Sequence, residues 1–550
     1  MALTPTVDDR SPLWRLFTSL VIAIVLAERC SPNFLAYGLG IWALSIAGAY
    51  AISHRQRSEG QCHFAPRTHH RRAYKRVMLC ILGLAFYAQH RLHPPLDIEH
   101  WHLGWHTMDI RLQRIYARTR GQKHQVYGQG IVVDGLSLPM KFNGQRLYFM
   151  LYERTPQPHY RGQIVRVRGH IRHIHGNYDL HSFESYLQRV RIPLQIDRGD
   201  IQSITHEGNF FFRYCHHTQC CIRSFLSPAH EDSSILRCML LNDRGDVQRS
   251  QKQLFARTGV AHLLAISGLH IGMIGLALEF FLRLWRLSKR QRRIPCIAIL
   301  GLYTYVIGAP PSAVRAWLML TYLWSACFFS RKATTLSAIS FAGIFSLLAS
   351  PYQLWDWGFQ FSYIAVLCII LIGSPLASCM ITIFRLSNSH EKPTRQHSLG
   401  VRCYRSVMTY SLQSFCISVP ISILMIPLSI EYFGSFSLSG IVINLIAIPL
   451  AFGIIIGGFG TIVIGFFLGN SSSQWMLRHW LQPYVHLFEG ILHWCDIHLP
   501  YAWTGQNLSP GIGIIVCIIT TMISLVWHRH YRNHFHSLHS IKTCRMPMKC

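Results

Sequence analysis

The sequence predicts a polytopic α-helical membrane protein with a small inserted β-barrel domain, OB-like, on its outer face. Three observations carry this expectation. Half of the 550 residues are hydrophobic and only 14% are charged, with a mean hydropathy of +0.21, whereas ordinary soluble domains run to roughly a quarter charged. Long apolar runs recur near the start of the chain and over much of its second half. Between residues 91 and about 205 those runs give way to short alternating stretches with Gly and Pro punctuation.

Residues 1–90 open with apolar runs at 13–27 and 34–52, and the first lacks a small-residue cleavage site, so it is expected to stay as an anchor. The loop between 53 and 76 carries Arg55, Arg57, Arg67, Arg71, Arg72, Lys75 and Arg76 against the single acid Glu59. Such a loop is expected to stay in the cytoplasm, together with the N-terminus. A third run at 77–90 is short for a span, and if it crosses, residues 91–205 emerge outside.

In that segment, stretches 129–134, 146–152 and 164–171 read as strands, enough for one small barrel or sandwich. Along the last of them Arg166, Arg168 and His170 should share one face and Val165 and Val167 the other. With Arg172 close by, that basic face suits single-stranded nucleic acid, although a plainly solvated face would look the same. Residues 206–255 read as a connecting, amphipathic segment.

From 256 to 530 the chain reads as mostly membrane, with apolar runs at 260–285, 294–308, 313–329, 336–348, 359–373, 407–430, 440–468 and 511–527. The linker 283–293, the loop 385–405 and the tail 531–550 are basic, which places them and the C-terminus on the cytoplasmic side. The formal net charge of +29 points to a polyanionic partner, nucleic acid or anionic lipid. The 17 cysteines form no CxxC pair, so neither a disulfide framework nor a zinc ribbon is expected, and no cofactor or metal is expected either.

Four polar clusters interrupt the apolar half. His262, Ser267, Gly268 and His270 lie in one run, and on a continuous helix the two histidines would face similar sides. Arg315 follows Pro310-Pro311, where it either faces a cavity as a phosphate contact or snorkels to the interface. Asp356, Gln360 and Ser362 enter the start of another apolar segment, Asp356 in a position where helix capping alone would explain it. Asn444 lies near Pro427, Pro449 and the glycine-rich 453–460, which together suggest discontinuous helices. A Ser267–His270 hydrolytic pair is the rival reading of the first cluster.

These clusters, in this order, closely resemble the ComEC family of competence proteins. The resemblance rests on HLLAISGLHIG at 262–272, PSAVRAWLM at 311–319, SPYQLWDWGFQFSYIAVL at 350–367 and IVINLIAIPL at 441–450, and more weakly on Leu241-Asn242-Asp243-Arg244 and segment 162–192. It implies a non-enzymatic channel in the bacterial inner membrane that translocates single-stranded DNA in natural transformation. It further implies a DNA receptor, a cytoplasmic helicase-like ATPase and separate nucleases as partners, membrane lipids as surroundings, and self-association. The chain departs from the family pattern at Asn242, where glycine is usual. It also lacks the HxHxDH signature of the metallo-β-lactamase-like domain that many members carry, so no internal nuclease is expected. No GxxxxGK[ST] loop occurs either, so the driving force is expected from a partner or a gradient. The alternatives to a DNA channel are an intramembrane hydrolase using Ser267 and a histidine, or a family member repurposed to move another polyanion or solute.

Overall fold

A computed structural model describes several residues between 13 and 24 and most of residues 104–504. The expected spans at 34–52, 77–90 and 511–527, the loop at 53–76 and the tail at 531–550 lie outside the described residues. The chain divides into two compact units, one of Met1–Val7, Trp101–Thr335 and Trp355–Cys550, the other of Asp8–His100 and Leu336–Leu354. In the second unit the described residues between 13 and 24 are helical, as is the apolar stretch 336–349.

The first unit begins with a closed five-stranded barrel of order β1-β2-β3-β5-β4. Its strands are β1 (Trp105–Arg120), β2 (Lys123–Asp134), β3 (Arg146–Glu153), β4 (Ile164–His173) and β5 (Leu194–His206), with helix α1 (Phe183–Arg189) between β4 and β5. β3 and β5 pair in parallel and every other pairing is antiparallel. Strand alternation holds as expected: Val165 and Val167 are fully buried, while Arg168 and His170 point outward with Arg166 half-buried beside them. A bulge in β1 between Leu112 and Arg114 throws Arg114 out of register. Gly128 of β2 lies opposite, where a Cβ would collide with the Arg114 carbonyl.

Past the barrel come α2 (Phe210–Phe225), α3 (Ser234–Leu241) and α4 (Arg249–Arg257). α3 ends on Asn242 in the left-handed region, φ 58°. Glycine enters that region without cost and asparagine is among the few other residues that tolerate it, which accounts for the departure from the family's usual glycine. Next follow α5 (Gly268–Leu284), α6 (Lys289–Val306) and α7 (Pro311–Ser325).

After a helix at Thr335–Ala349, α8, come α9, starting at Trp357, α10 (Leu399–Phe433) and α11 (Gly440–Leu468). α9 runs through a π-turn at Ile369–Gly373 as far as Ser387. Among the described residues three segments are long and apolar enough to cross a membrane: Trp357–Phe384, Cys403–Ile430 and Gly440–Leu468. The described chain closes with α12 (Asn470–Met476) and α13 (Gln482–His498), and with a short ladder of β6 (Ser435–Ser437) and β7 (Ala502–Thr504).

Helix continuity departs from the pattern of apolar runs and prolines at two places. The run at 260–285 is not one helix: a 3-10 turn at Ala261–Leu263 and a break precede α5, whose N-cap is Ser267. His262 and His270 therefore do not share a continuous helix. Conversely, α10 and α11 continue through Pro427 and Pro449; a proline removes one backbone bond, which need not end a long apolar helix. The glycines of α11 serve close packing instead. A Cβ at Gly458 would strike Leu240 of α3, and one at Gly465 would lie 2.6 Å from the Phe225 ring of α2.

Candidate functional site

Three of the four polar clusters are joined by a chain of contacts. Ser267 caps α5 in a reciprocal box with His270: the His270 Nδ1 lies 2.9 Å from the Ser267 hydroxyl and accepts from the Ser267 N–H at 3.3 Å. With Nδ1 accepting, the ring proton sits on Nε2, which is buried without a partner. Gly268 follows the cap, and a Cβ there would touch Ala316 of α7 at 3.5 Å. One residue before Ser267, the Ile266 carbonyl accepts from the Ser312 hydroxyl at 2.7 Å, which ties this break to the first turn of α7.

One turn further along α7, Arg315 is 1% exposed, the largest fully buried side chain among the described residues. It does not snorkel. Its Nη2 donates to the Gly358 carbonyl at 2.6 Å, and its guanidinium lies 5.3 Å from the centre of the Phe359 ring. Its Nε has no partner, and among the described residues no carboxylate lies within ion-pair distance. Proline at N1 starts this helix at no cost in hydrogen bonds, since the first N–H groups are orphans anyway.

Asp356 caps α9, accepting from the Phe359 N–H at 3.3 Å, and its other oxygen accepts from the Tyr186 hydroxyl at 3.2 Å. Tyr186 belongs to α1, so the barrel is fastened here to the helical part of the same unit. The Trp357 ring lies 4.6 Å from the Tyr186 ring and stacks on Tyr432 of α10 at 5.1 Å. The Tyr432 hydroxyl donates to Gln360 Oε1 at 2.6 Å. His262, Ser362 and Asn444 take no part in these hydrogen bonds: His262 is exposed, Ser362 half-buried, and the Asn444 Oδ1 is buried without a partner.

On the barrel the basic face is largely self-neutralised. Arg166 forms a two-pronged bond to Asp109, at 2.8 and 3.1 Å. Arg172 reaches Asp197 at 3.0 Å and Glu184 at 3.7 Å. Arg168 remains exposed, and His170 sits edge-on to the exposed Trp105, ring centres 6.2 Å apart.

Sequence reasoning passed over a cavity of about 200 Å³ where β1, the turn at Tyr160–Arg161, α2, the end of α3 and the approach to α7 meet. Arg114 and Arg161 line it, and among the described residues neither has a carboxylate within ion-pair distance. The lining also includes His216, whose pKa burial and the nearby His159 and His217 lower from the ordinary histidine value. The spacing of Gly128 and Gly130 in a strand was the one sequence signal of the bulge that presents Arg114.

Residues 239–530 match the family model described as competence protein. The chain belongs to this competence protein family. It is 27% identical to ComE operon protein 3 of Bacillus subtilis (strain 168) over 249 residues, 44% of this chain and 31% of the relative. It is 32% identical to an uncharacterized protein of Aquifex aeolicus (strain VF5) over 124 residues, 22% of this chain and 28% of that one. Over 369 residues, 64% of this chain, it is 23% identical to uncharacterized protein YcaI of Escherichia coli (strain K12), covering 44% of it. This competence-family chain thus spans less than half the length of each of these relatives. No solved structure matches it. The matched region holds the Ser267, Arg315 and Asp356 clusters; the barrel lies before it.

Proposed function

We propose that this competence-family chain is a channel that admits one strand of DNA through the bacterial inner membrane during transformation. The observation that carries the reading is Arg315: a fully buried cation with, among the described residues, no carboxylate within ion-pair distance, in the family-matched region, one contact away from the helix cap that holds the barrel. A buried charge is costly unless something compensates it, and a passing phosphate is a natural counterion for a guanidinium. The barrel's strand order, with β1 closing on β4 and β3 parallel to β5, supports an OB-type barrel of the kind that binds single strands.

In this reading the protein is multi-pass, with the barrel outside and both termini in the cytoplasm, as the basic loops suggest. It acts without catalysis of its own and takes its driving force from a cytoplasmic helicase-like ATPase. An outer DNA receptor delivers the substrate, separate nucleases remove the second strand, and the channel self-associates.

The test is uptake of labelled DNA into a DNase-protected state in cells with the gene intact, deleted, or carrying Arg315→Ala. Deletion is expected to leave DNA bound outside and unprotected, and Arg315→Ala to approach deletion while the protein still reaches the membrane. Unchanged protection on deletion overturns the reading and points to another solute for the same helices.

A further inference from the structure

We propose that the cavity between the barrel and α7 is a seat for one unpaired nucleotide, and that it admits single strands of any sequence while excluding duplex. The inference rests on the proposed passage of a DNA strand and deepens it by naming where and how strandedness is read.

Four observations converge on the seat. Its volume of about 200 Å³ falls below the roughly 300–1,000 Å³ of pockets that hold drug-sized ligands, so it takes one base rather than a base pair. Arg114, set off register by the β1 bulge, and Arg161 supply positive charge with no described carboxylate within ion-pair distance, and the one carboxylate lining the cavity, Asp243, is paired with Arg223 at 3.2 Å. A phosphodiester is the complementary partner. Phe212, with the Arg161 guanidinium 5.2 Å from its ring centre, lines the cavity and offers an aromatic ring for a base.

The fourth observation concerns Asn242. It is 9% exposed, lines the cavity, and its Oδ1 is buried with no hydrogen-bond partner. A buried acceptor left empty is unfavourable, so it calls for a donor from whatever enters. Each of the four bases carries at least one N–H donor on its Watson–Crick edge, and in a duplex those donors are engaged by the opposite strand. An acceptor at this point therefore accepts from any unpaired base, while a base pair is kept out by the size of the cavity and by the engagement of its Watson–Crick edge. The left-handed backbone at Asn242, φ 58°, fixes where that acceptor sits.

The seat also lies at a junction. Gly308, Pro310 and Pro311 line it, and Arg315 follows one turn into α7. A nucleotide held there stands between the barrel and the buried guanidinium.

The test uses purified full chain in detergent and short fluorescent oligothymidylates, read by anisotropy. Asn242→Gly keeps the left-handed backbone but removes the acceptor, and it should weaken binding about tenfold, the scale of one well-made hydrogen bond. A strand made of N3-methylthymidine lacks the Watson–Crick N–H. It should bind the wild type as weakly as the ordinary strand binds Asn242→Gly, and lose nothing further on that variant. A hairpin duplex of the same length should bind weakly to both. Arg114→Ala with Arg161→Ala should lower affinity for methylated and ordinary strands alike.

If methylated and ordinary strands bind equally to the wild type and Asn242→Gly changes neither, the seat is overturned. Should Arg168→Ala still weaken binding in that case, the DNA reading survives without it. If the wild type binds no strand at low salt, the seat and the DNA reading fall together.

Discussion

The Tyr186 hydroxyl donates to the Asp356 carboxylate at 3.2 Å across 170 residues of sequence. Asp356 spends its other oxygen on the first turn of α9, so one carboxylate both starts an apolar helix and holds the barrel. Burial and the adjacent Asp356 raise the pKa of the Tyr186 phenol, which keeps it a donor throughout the physiological range.

The two duties of Asp356 separate by mutation. Tyr186→Phe removes only the link between barrel and helix and should cost about 1 kcal/mol. Asp356→Ala removes the link and the cap together, and the cap alone is worth about 0.5–2 kcal/mol. Thermal unfolding in detergent should therefore rank wild type above Tyr186→Phe above Asp356→Ala. If Asp356→Ala in a Tyr186→Phe background costs as much as in the wild type, the hydrogen bond contributes nothing.

Arg166 and Arg168, two residues apart on one strand face, should behave differently. Arg166→Ala strands the buried Asp109 without its partner and is expected to lower the melting temperature while barely changing the salt dependence of DNA binding. Arg168 is exposed. Arg168→Ala should leave the melting temperature unchanged and reduce the slope of log affinity against log salt by about 0.7, the value of one single-strand phosphate contact. Equal slopes for both variants would mean that the Asp109 pair opens to bind DNA.

This contrast marks what a sequence discloses. Alternation exposed the face of β4, because side chains in a strand alternate strictly, and the run at 440–468 matched a helix from Gly440 to Leu468. The pairing of Arg166 with Asp109, 57 residues away, depends on barrel register, which no local pattern encodes. The break before Ser267 was one of two readings that Ser267-Gly268 and Gly272 allow, close helix contact being the other. Apolar residues continue through it, and only the capping box of Ser267 and His270, met in three dimensions, shows where α5 starts. Asn242 stood out merely as a departure from a family pattern until its φ of 58° gave the departure a cause.

His216 predicts a pH dependence. Burial, reinforced by the positive fields of His159 and His217, lowers its pKa in the folded chain, so the folded state favours the neutral ring. The unfolded chain then binds more protons below the ordinary value of 6.5, and stability falls as pH falls. The contribution is intact above that value and is lost progressively on acidification towards the lowered folded value. His216→Gln cannot take up that proton. Melting temperatures recorded between pH 8 and pH 5 should therefore fall more steeply for the wild type than for His216→Gln, and parallel curves would show that the ring titrates freely.

Ser267 separates a channel from a hydrolase. Its contact with His270 at 2.9 Å is what a nucleophile and base would show, yet the same two residues complete a helix cap in which Nδ1 also takes the Ser267 N–H. As a cap, Ser267→Ala should cost about 0.5–2 kcal/mol of stability, and Ser267→Asp, another good N-cap, should restore most of it. DNA protection in cells should fall modestly in the first variant and recover in the second. A nucleophile cannot be replaced this way: hydrolysis would be abolished by both substitutions. Loss of function that Ser267→Asp fails to rescue, with stability regained, would therefore favour chemistry at Ser267 over capping.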